Sequence, residues 1–173
     1  MHRLVLNEEI YEEVVLRAMP IAQRFLWIAT ADLKDMHVPR GKKYVTVLSV
    51  WADLIRDGVE IRLLHAKEPG PRFRKDFDRF PELMESERFE RILCPRNHSK
   101  IILVDGTWAF VGSANLTGAG LGAKSPTRRN FEAGYLTDER EDIERLMEWY
   151  DSLYLGQHCA KCGRRDVCPD PIA

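Results

Sequence analysis

The chain has 173 residues, of which 45% are hydrophobic and 31% charged, and its 26 Lys and Arg nearly balance 27 Asp and Glu for a formal net charge of -1. That length supports one domain with a real core and excludes two full catalytic domains, while the charge excludes a wholesale polybasic protein, so any polyanion must meet a local basic patch. The longest uncharged apolar stretch, Phe25 to Ala31, is far shorter than the ~20 residues of a membrane-spanning helix. The opening MHRLVLNEEI carries no apolar leader core, and the expectation is a soluble, cytoplasmic protein without stable membrane association. Four Cys without a secretory leader argue against a disulfide scaffold and leave metal binding, buried thiols or redox chemistry.

In chain order, Asn7 with Glu8 and Glu9 predicts a helix start, and Ile10, Val14, Val15 and Ala18 recur at helical spacing until Pro20. Phe25 to Ala31 reads as a buried strand, followed by a polar loop, ADLKDMHVPRGKK. Tyr44 to Arg56 places Val47, Leu48, Trp51, Leu54 and Ile55 on one helical face, closed by Asp57-Gly58. Val59, Ile61 and Leu63 alternate with charged residues as a strand does. After His65 a Pro/Gly loop leads to a helix over Phe73 to Met84, broken near Pro81.

Four strands are predicted next, at Phe89 to Leu93, Ser99 to Val104, Thr107 to Val111 and Phe131 to Leu136, with Asp105-Gly106 as a two-residue hairpin turn. A last amphipathic helix spans Glu139 to Leu155, and HCAKCGRRDVCPDPIA reads as a separate small element. The expected organisation is a catalytic domain over residues 1–155 and a Cys-rich tail over 156–173. Strands interleaved with helices make the class α/β.

The chemistry is concentrated in His98-x-Lys100-x4-Asp105-x6-Gly112-Ser113-x-Asn115. On a strand His98 and Lys100 share a face, about 7 Å apart. The hairpin at Asp105-Gly106 returns Ser113 and Asn115 toward them. An imidazole, a cation, a hydroxyl and an amide around one point suit a phosphoryl centre, whose oxygens need stabilising charge while a nucleophile attacks in line.

These residues resemble the HKD signature of the phospholipase D superfamily. The resemblance extends to Asn130-Phe-Glu132-Ala-Gly134, which is similar to the family's downstream strand with its acidic residue. It implies a mixed β-sheet flanked by helices on both faces, here with a small Cys-rich tail. It makes His98 the nucleophile of a phosphohistidine intermediate, with Lys100 and Asn115 on the phosphoryl oxygens, Ser113 in support and Glu132 orienting His98 through its other ring nitrogen. Asp105 and Gly112 take structural roles, and catalysis needs no cofactor.

The family completes its chemistry with a second motif histidine as general acid and base. His65-Ala-Lys67 mimics the start of a second motif, but Arg72 stands where the Asp belongs. A single copy therefore implies an obligate homodimer with His98 opposed across a two-fold axis, as in the small bacterial endonucleases that the chain resembles.

Basic clusters point to nucleic acid. Besides Arg40-Gly-Lys42-Lys43, they are Arg72, Arg74 and Lys75 around Phe73, Arg96 beside His98, and Arg128-Arg129. Phe73 is a candidate base-stacking residue; the plain alternative for each cluster is solvated loop charge. A nonspecific nuclease for DNA or RNA leads, with a small phospholipase or cardiolipin-type hydrolase, and a non-catalytic nucleic-acid-binding subunit, as alternatives. In the tail, Cys159-x2-Cys162-x5-Cys168 suggests a structural metal, zinc ahead of an iron–sulfur cluster. The preferred set is Cys94, Cys159, Cys162 and Cys168, with His158 as the competing fourth ligand. His65 is read as a packing or supporting residue, His2 and His37 carry no role, and Trp27, Trp51, Trp108 and Trp149 are expected in the core.

Overall fold

The computed structural model describes residues 1–34 and 36–172. Among these residues nine strands run in chain order: β1 His2–Leu6, β2 Phe25–Thr30, β3 His37–Arg40, β4 Lys43–Thr46, β5 Glu60–His65, β6 Phe89–Leu93, β7 Ile101–Val104, β8 Trp108–Gly112 and β9 Ala133–Thr137. Seven form one sheet in the order β1-β9-β8-β7-β2-β5-β6, and β3 and β4 form a separate ribbon. β2 pairs parallel with β5 and antiparallel with β7, and so joins the parallel part of the sheet (β2, β5, β6) to its antiparallel part (β7, β8, β9, β1).

Alternation along β2 explains why the sheet is covered on both sides. Leu26 and Ile28 face one core together with Ile10, Val14, Leu48, Trp51 and Phe110, whereas Trp27 and Ala29 face a second with Ile143, Tyr150 and Tyr154. The first face is covered by three helices and a helical segment. The segment, α1, opens as one α-helical turn at Glu8–Ile10, continues as π-helix over Tyr11–Ala18 and ends as a 3₁₀ turn at Met19–Ile21. The helices are α2 (Val47–Arg56), α3 (Pro71–Phe77) and α4 (Pro81–Glu85). The second face is covered by α5 (Arg140–Tyr154). Tyr150 locks α5 down, stacking on Trp27 at 5.1 Å and donating its hydroxyl to the Arg62 carbonyl at 3.0 Å.

The structure corrects the local reading in several places. β1 was not expected, because only Val5 of its five residues is buried and the strand shows no apolar face of its own. Residues 37–46 form a hairpin in place of a loop running into a helix, and α2 begins at Val47. This ribbon is charged and contains Pro39, a composition that hides a strand. Asn7 does not cap a helix with its side chain; its backbone is left-handed at φ 50. Phe73 is 4% exposed and stacks on Phe77 at 6.2 Å, so it is a core residue and not a base-stacking one. Trp149, expected in the core, is 42% exposed.

Candidate active site

The motif residues gather at one end of the sheet, at the carboxyl ends of β2, β5 and β8 and the amino ends of β7 and β9, the position open α/β sheets use for ligands. Each is held by its own local structure. Residues 97–100 precede β7 as irregular chain, not as strand, and Asn97 anchors them. Its buried side chain donates to the carbonyls of Thr30 (3.0 Å) and Leu64 (3.2 Å), at the ends of β2 and β5, and accepts the Ser99 N–H. The ladder ends where the Gly112 N–H reaches the Lys100 carbonyl at 3.1 Å.

Lys100, 8% exposed, donates to the His98 carbonyl at 2.6 Å, and its Nζ lies 3.2 and 3.4 Å from the two ring nitrogens. The imidazole and the cation of the motif therefore share one pocket. Burial draws the Lys100 ammonium below the ordinary lysine value, while the charge of Glu132 pulls it back up.

Asn115 is oriented by its backbone surroundings. Its Oδ1 accepts the N–H groups of Ala31 (3.2 Å) and Asp32 (3.1 Å), which leaves the Nδ2 donors for a ligand. Thr30 ties the next residue down, its Oγ1 accepting the Leu116 N–H at 2.9 Å. A Cβ on Gly120 would stand 2.6 Å from the Asn115 carbonyl oxygen, so the loop closes behind the motif only with glycine there.

Ser113 donates to Glu132 Oε2, and Asn130 donates to Glu132 Oε1 at 3.1 Å. The expected hydrogen bond from His98 to Glu132 is not made; in this chain the carboxylate organises Ser113 and Asn130 and acts on Lys100 through its charge. Asn7 clamps Glu132 from behind: its N–H donates to the Glu132 carbonyl (2.9 Å) and its Oδ1 accepts the Glu132 N–H (3.1 Å).

Asp105 and Gly112 stand apart from the chemistry. The Asp105 carboxylate accepts the N–H groups of Gln23 (2.9 Å), Arg24 (2.7 Å) and Phe25 (2.9 Å), tying the hairpin to the start of β2. Gly112 lies beside Gly134 under the Phe110 ring, and a Cβ on either would stand within 2.6 Å of that ring.

The basic residues separate into committed and open ones. Arg74 pairs with Asp78 at 2.9 Å and Arg129 with Glu8 at 2.8 Å, while Arg96 faces Cys162 Sγ at 3.8 Å. Lys75 and Arg128 are exposed at the surface. Arg72 lines a cleft of about 590 Å³ that also contains Asn115, Lys34, Lys124 and Asn130. Sequence reading missed Asn97, Thr30, Asn7, Lys34 and Lys124; the one signal available was Asn97 next to the motif. His65 is fully buried, with Nδ1 2.8 Å from the Lys67 carbonyl oxygen.

All four cysteines line one small cavity of about 30 Å³ beside β6, and His158 instead lies 3.3 Å from Ser152 Oγ. Yet among the described residues no group of three His, Cys, Asp or Glu side chains is arranged to hold a metal ion. Cys162 Sγ faces the Arg96 guanidinium and Cys168 Sγ the Leu93 carbonyl. The tail docks through polar contacts such as the Leu93 N–H to Asp170 at 2.8 Å.

Comparison with known proteins agrees with this geometry. The family model described as "Cardiolipin synthase, PLD-like domain" matches residues 15–154. The chain belongs to the phospholipase D superfamily, as a PLD-like domain. It is 31% identical over 114 residues to a cardiolipin synthase of Geobacillus thermodenitrificans, a match covering 62% of the chain but 20% of that protein. The chain thus spans about a fifth of the length of the curated relatives that it matches. Its fold is similar to that of Nuc, a phospholipase D family member from Salmonella typhimurium (TM-score 0.65, 14% identity, 89% of this chain and 93% of that one). It is similar too to that of NucT from Helicobacter pylori (TM-score 0.62, 15% identity, 89% and 96%). Among the described residues no helix is long and apolar enough to cross a membrane.

Proposed function

We propose that this PLD-like domain cleaves phosphodiester bonds of nucleic acid through a phosphohistidine on His98, at a site completed by a second copy of the chain. The observation that carries the reading is the convergence of His98, Lys100 and the free Nδ2 of Asn115 at one end of the sheet. A nitrogen of His98 attacks phosphorus in line, forming P–N as the bond to the leaving oxygen breaks, and Lys100 and Asn115 stabilise charge on the phosphoryl oxygens. A second imidazolium protonates the leaving oxygen. Water then attacks the phosphohistidine, gives its proton to that imidazole, and releases phosphate ester and free His98.

The remaining imidazoles of this chain do not suit the second role. His65 is buried, His2 sits against Asp142 and His158 against Ser152, and His37 stands on the separate β3–β4 ribbon. Two-fold pairing supplies another His98. An exposed apolar row across the sheet supports such pairing: Leu4, Tyr135 and Val111 are register partners, 50%, 55% and 38% exposed, with Trp149 beside them.

The test compares wild type with His98→Ala on labelled single- and double-stranded DNA, on RNA and on phosphatidyl vesicles, all in EDTA, with sedimentation in parallel. The expected result is EDTA-resistant cleavage of nucleic acid that the substitution abolishes, from a dimer. Activity confined to lipid would instead favour phosphatidyl chemistry, the reading suggested by identity to the cardiolipin synthases. A monomer fully active at high dilution would refute the shared site.

A further inference from the structure

The cleft of about 590 Å³ opens directly off the phosphoryl site, because Asn115 lines both. Its other polar walls are Lys34, Arg72, Lys124, Thr117 and Asn130. The acid on its wall, Asp32, is already held by Lys34 at 3.2 Å and Lys67 at 3.3 Å, and these two lysines keep its carboxyl below the usual value against the upward push of burial.

Arg72 and Lys124 are different. Both are exposed, and neither has a carboxylate partner among the described residues, whereas Arg74 and Arg79, just beyond Arg72 in the chain, pair with Asp78 and Asp76. Two uncompensated cations on the walls of a cleft that starts at the reacting phosphorus call for a second anion on the same molecule.

From this we infer that the cleft is a subsite for single-stranded nucleic acid, in which Arg72 and Lys124 bind a phosphate neighbouring the one that His98 attacks. The inference rests on the nuclease reading above and narrows its substrate class. A duplex, whose major groove alone is ~12 Å wide, does not enter a cleft of this volume. A single strand with its bases splayed does, and a basic groove tracking the backbone is the general device for holding one. Thr117 and Asn130 supply polar groups for a sugar or base edge without dictating sequence.

The contact is electrostatic and so carries a salt signature. Each phosphate contact to a single strand contributes a slope of about -0.7 to the logarithmic dependence of binding on salt, so losing the one phosphate that Arg72 and Lys124 share flattens it by about 0.7. Between 50 and 200 mM salt the double variant Arg72→Gln/Lys124→Gln should lose kcat/KM on a labelled single-stranded oligonucleotide by a factor about 2.6 smaller than wild type does. The substitutions should also reduce activity on the oligonucleotide far more than on bis(4-nitrophenyl) phosphate, which has a single phosphodiester and no neighbouring phosphate. Arg72→Lys/Lys124→Arg should restore the wild-type slope.

An unchanged slope in the double variant, or equal losses on both substrates, would overturn the subsite while leaving the nuclease reading intact. Faster cleavage of duplex than of single strand by wild type would also overturn it. If wild type hydrolyses bis(4-nitrophenyl) phosphate and no nucleic acid, the nuclease reading falls, and the subsite with it.

Discussion

Replacing Asp105 should cost stability and spare catalysis, although it is one of the three residues that give the HKD motif its name. Its carboxylate satisfies three consecutive N–H groups at the start of β2, its backbone is left-handed at φ 56, and Gly106 follows at φ 67 in the hairpin turn. Asp105→Ala removes all three acceptor contacts and places a Cβ residue that disfavours this backbone. Hydrogen bonds to a charged group contribute ~1.5–3 kcal/mol each when dry. This site is half-exposed and water replaces part of the loss, so together they should contribute about 2–3 kcal/mol, with ~1 kcal/mol more for the left-handed alanine.

Asp105→Asn keeps one acceptor oxygen and tolerates the turn, so it should lose about half as much. Burial pushes the Asp105 carboxyl up, but the three donors and Arg24 outweigh it and hold the group below its ordinary value. Its contribution is therefore complete above the unfolded aspartate pKa of ~3.9 and disappears as pH falls through the lower folded value. Urea melts of wild type and Asp105→Asn should differ by a constant amount at neutral pH and converge in acid. Five residues of extended chain, about 16 Å, separate Asp105 from Lys100, so kcat per folded molecule should stay at the wild-type level. A Asp105→Ala protein as stable as wild type, or one that loses kcat while keeping its stability, would refute this assignment.

Gly134→Ala should lower stability by about 1–3 kcal/mol through overpacking, since its Cβ would stand 2.4 Å from Phe110; adding Phe110→Leu should recover part of the loss in a thermal melt. Asn97→Ala frees the segment carrying His98 from β2 and β5 and should reduce kcat/KM by about 10²-fold, more than its loss of stability explains when activity is normalised to folded protein. Glu132→Gln removes the charge that raises the Lys100 pKa, so the alkaline limb of the pH–rate profile should move to lower pH; a limb that stays in place would separate Glu132 from Lys100.

Where side chains announce their burial, the fold could be read from the residues. The apolar runs of β2, β5 and β7, and the stripe of Val47, Leu48, Trp51, Leu54 and Ile55 on α2, are buried as expected because two-sided burial demands such runs. β1 and the β3–β4 ribbon were illegible because they contribute pairing more than core, and pairing leaves little trace in side-chain pattern. The motif residues were legible because phosphoryl chemistry restricts residue types and hairpin geometry restricts spacing. Their supports were not. Asn97, Thr30 and Asn7 act through backbone contacts between residues as far as 125 apart, which no local window contains. The cysteine spacing was legible as convergence on one cavity, and Cys94 joins the three tail cysteines there although 65 residues of sequence separate it from Cys159.

The edge strand β1 reaches further into the chemistry than its exposure suggests. It is joined to the sheet by β9 alone, and the residue after it, Asn7, grips Glu132 by both backbone groups. Peeling β1 away, by a protease or by a competing strand at the same edge, would free the acidic residue of the site without touching a motif residue, at the cost of one main-core side chain, Val5. This exposed edge strand is thereby a handle through which an outside agent can loosen the motif-bearing end of the sheet.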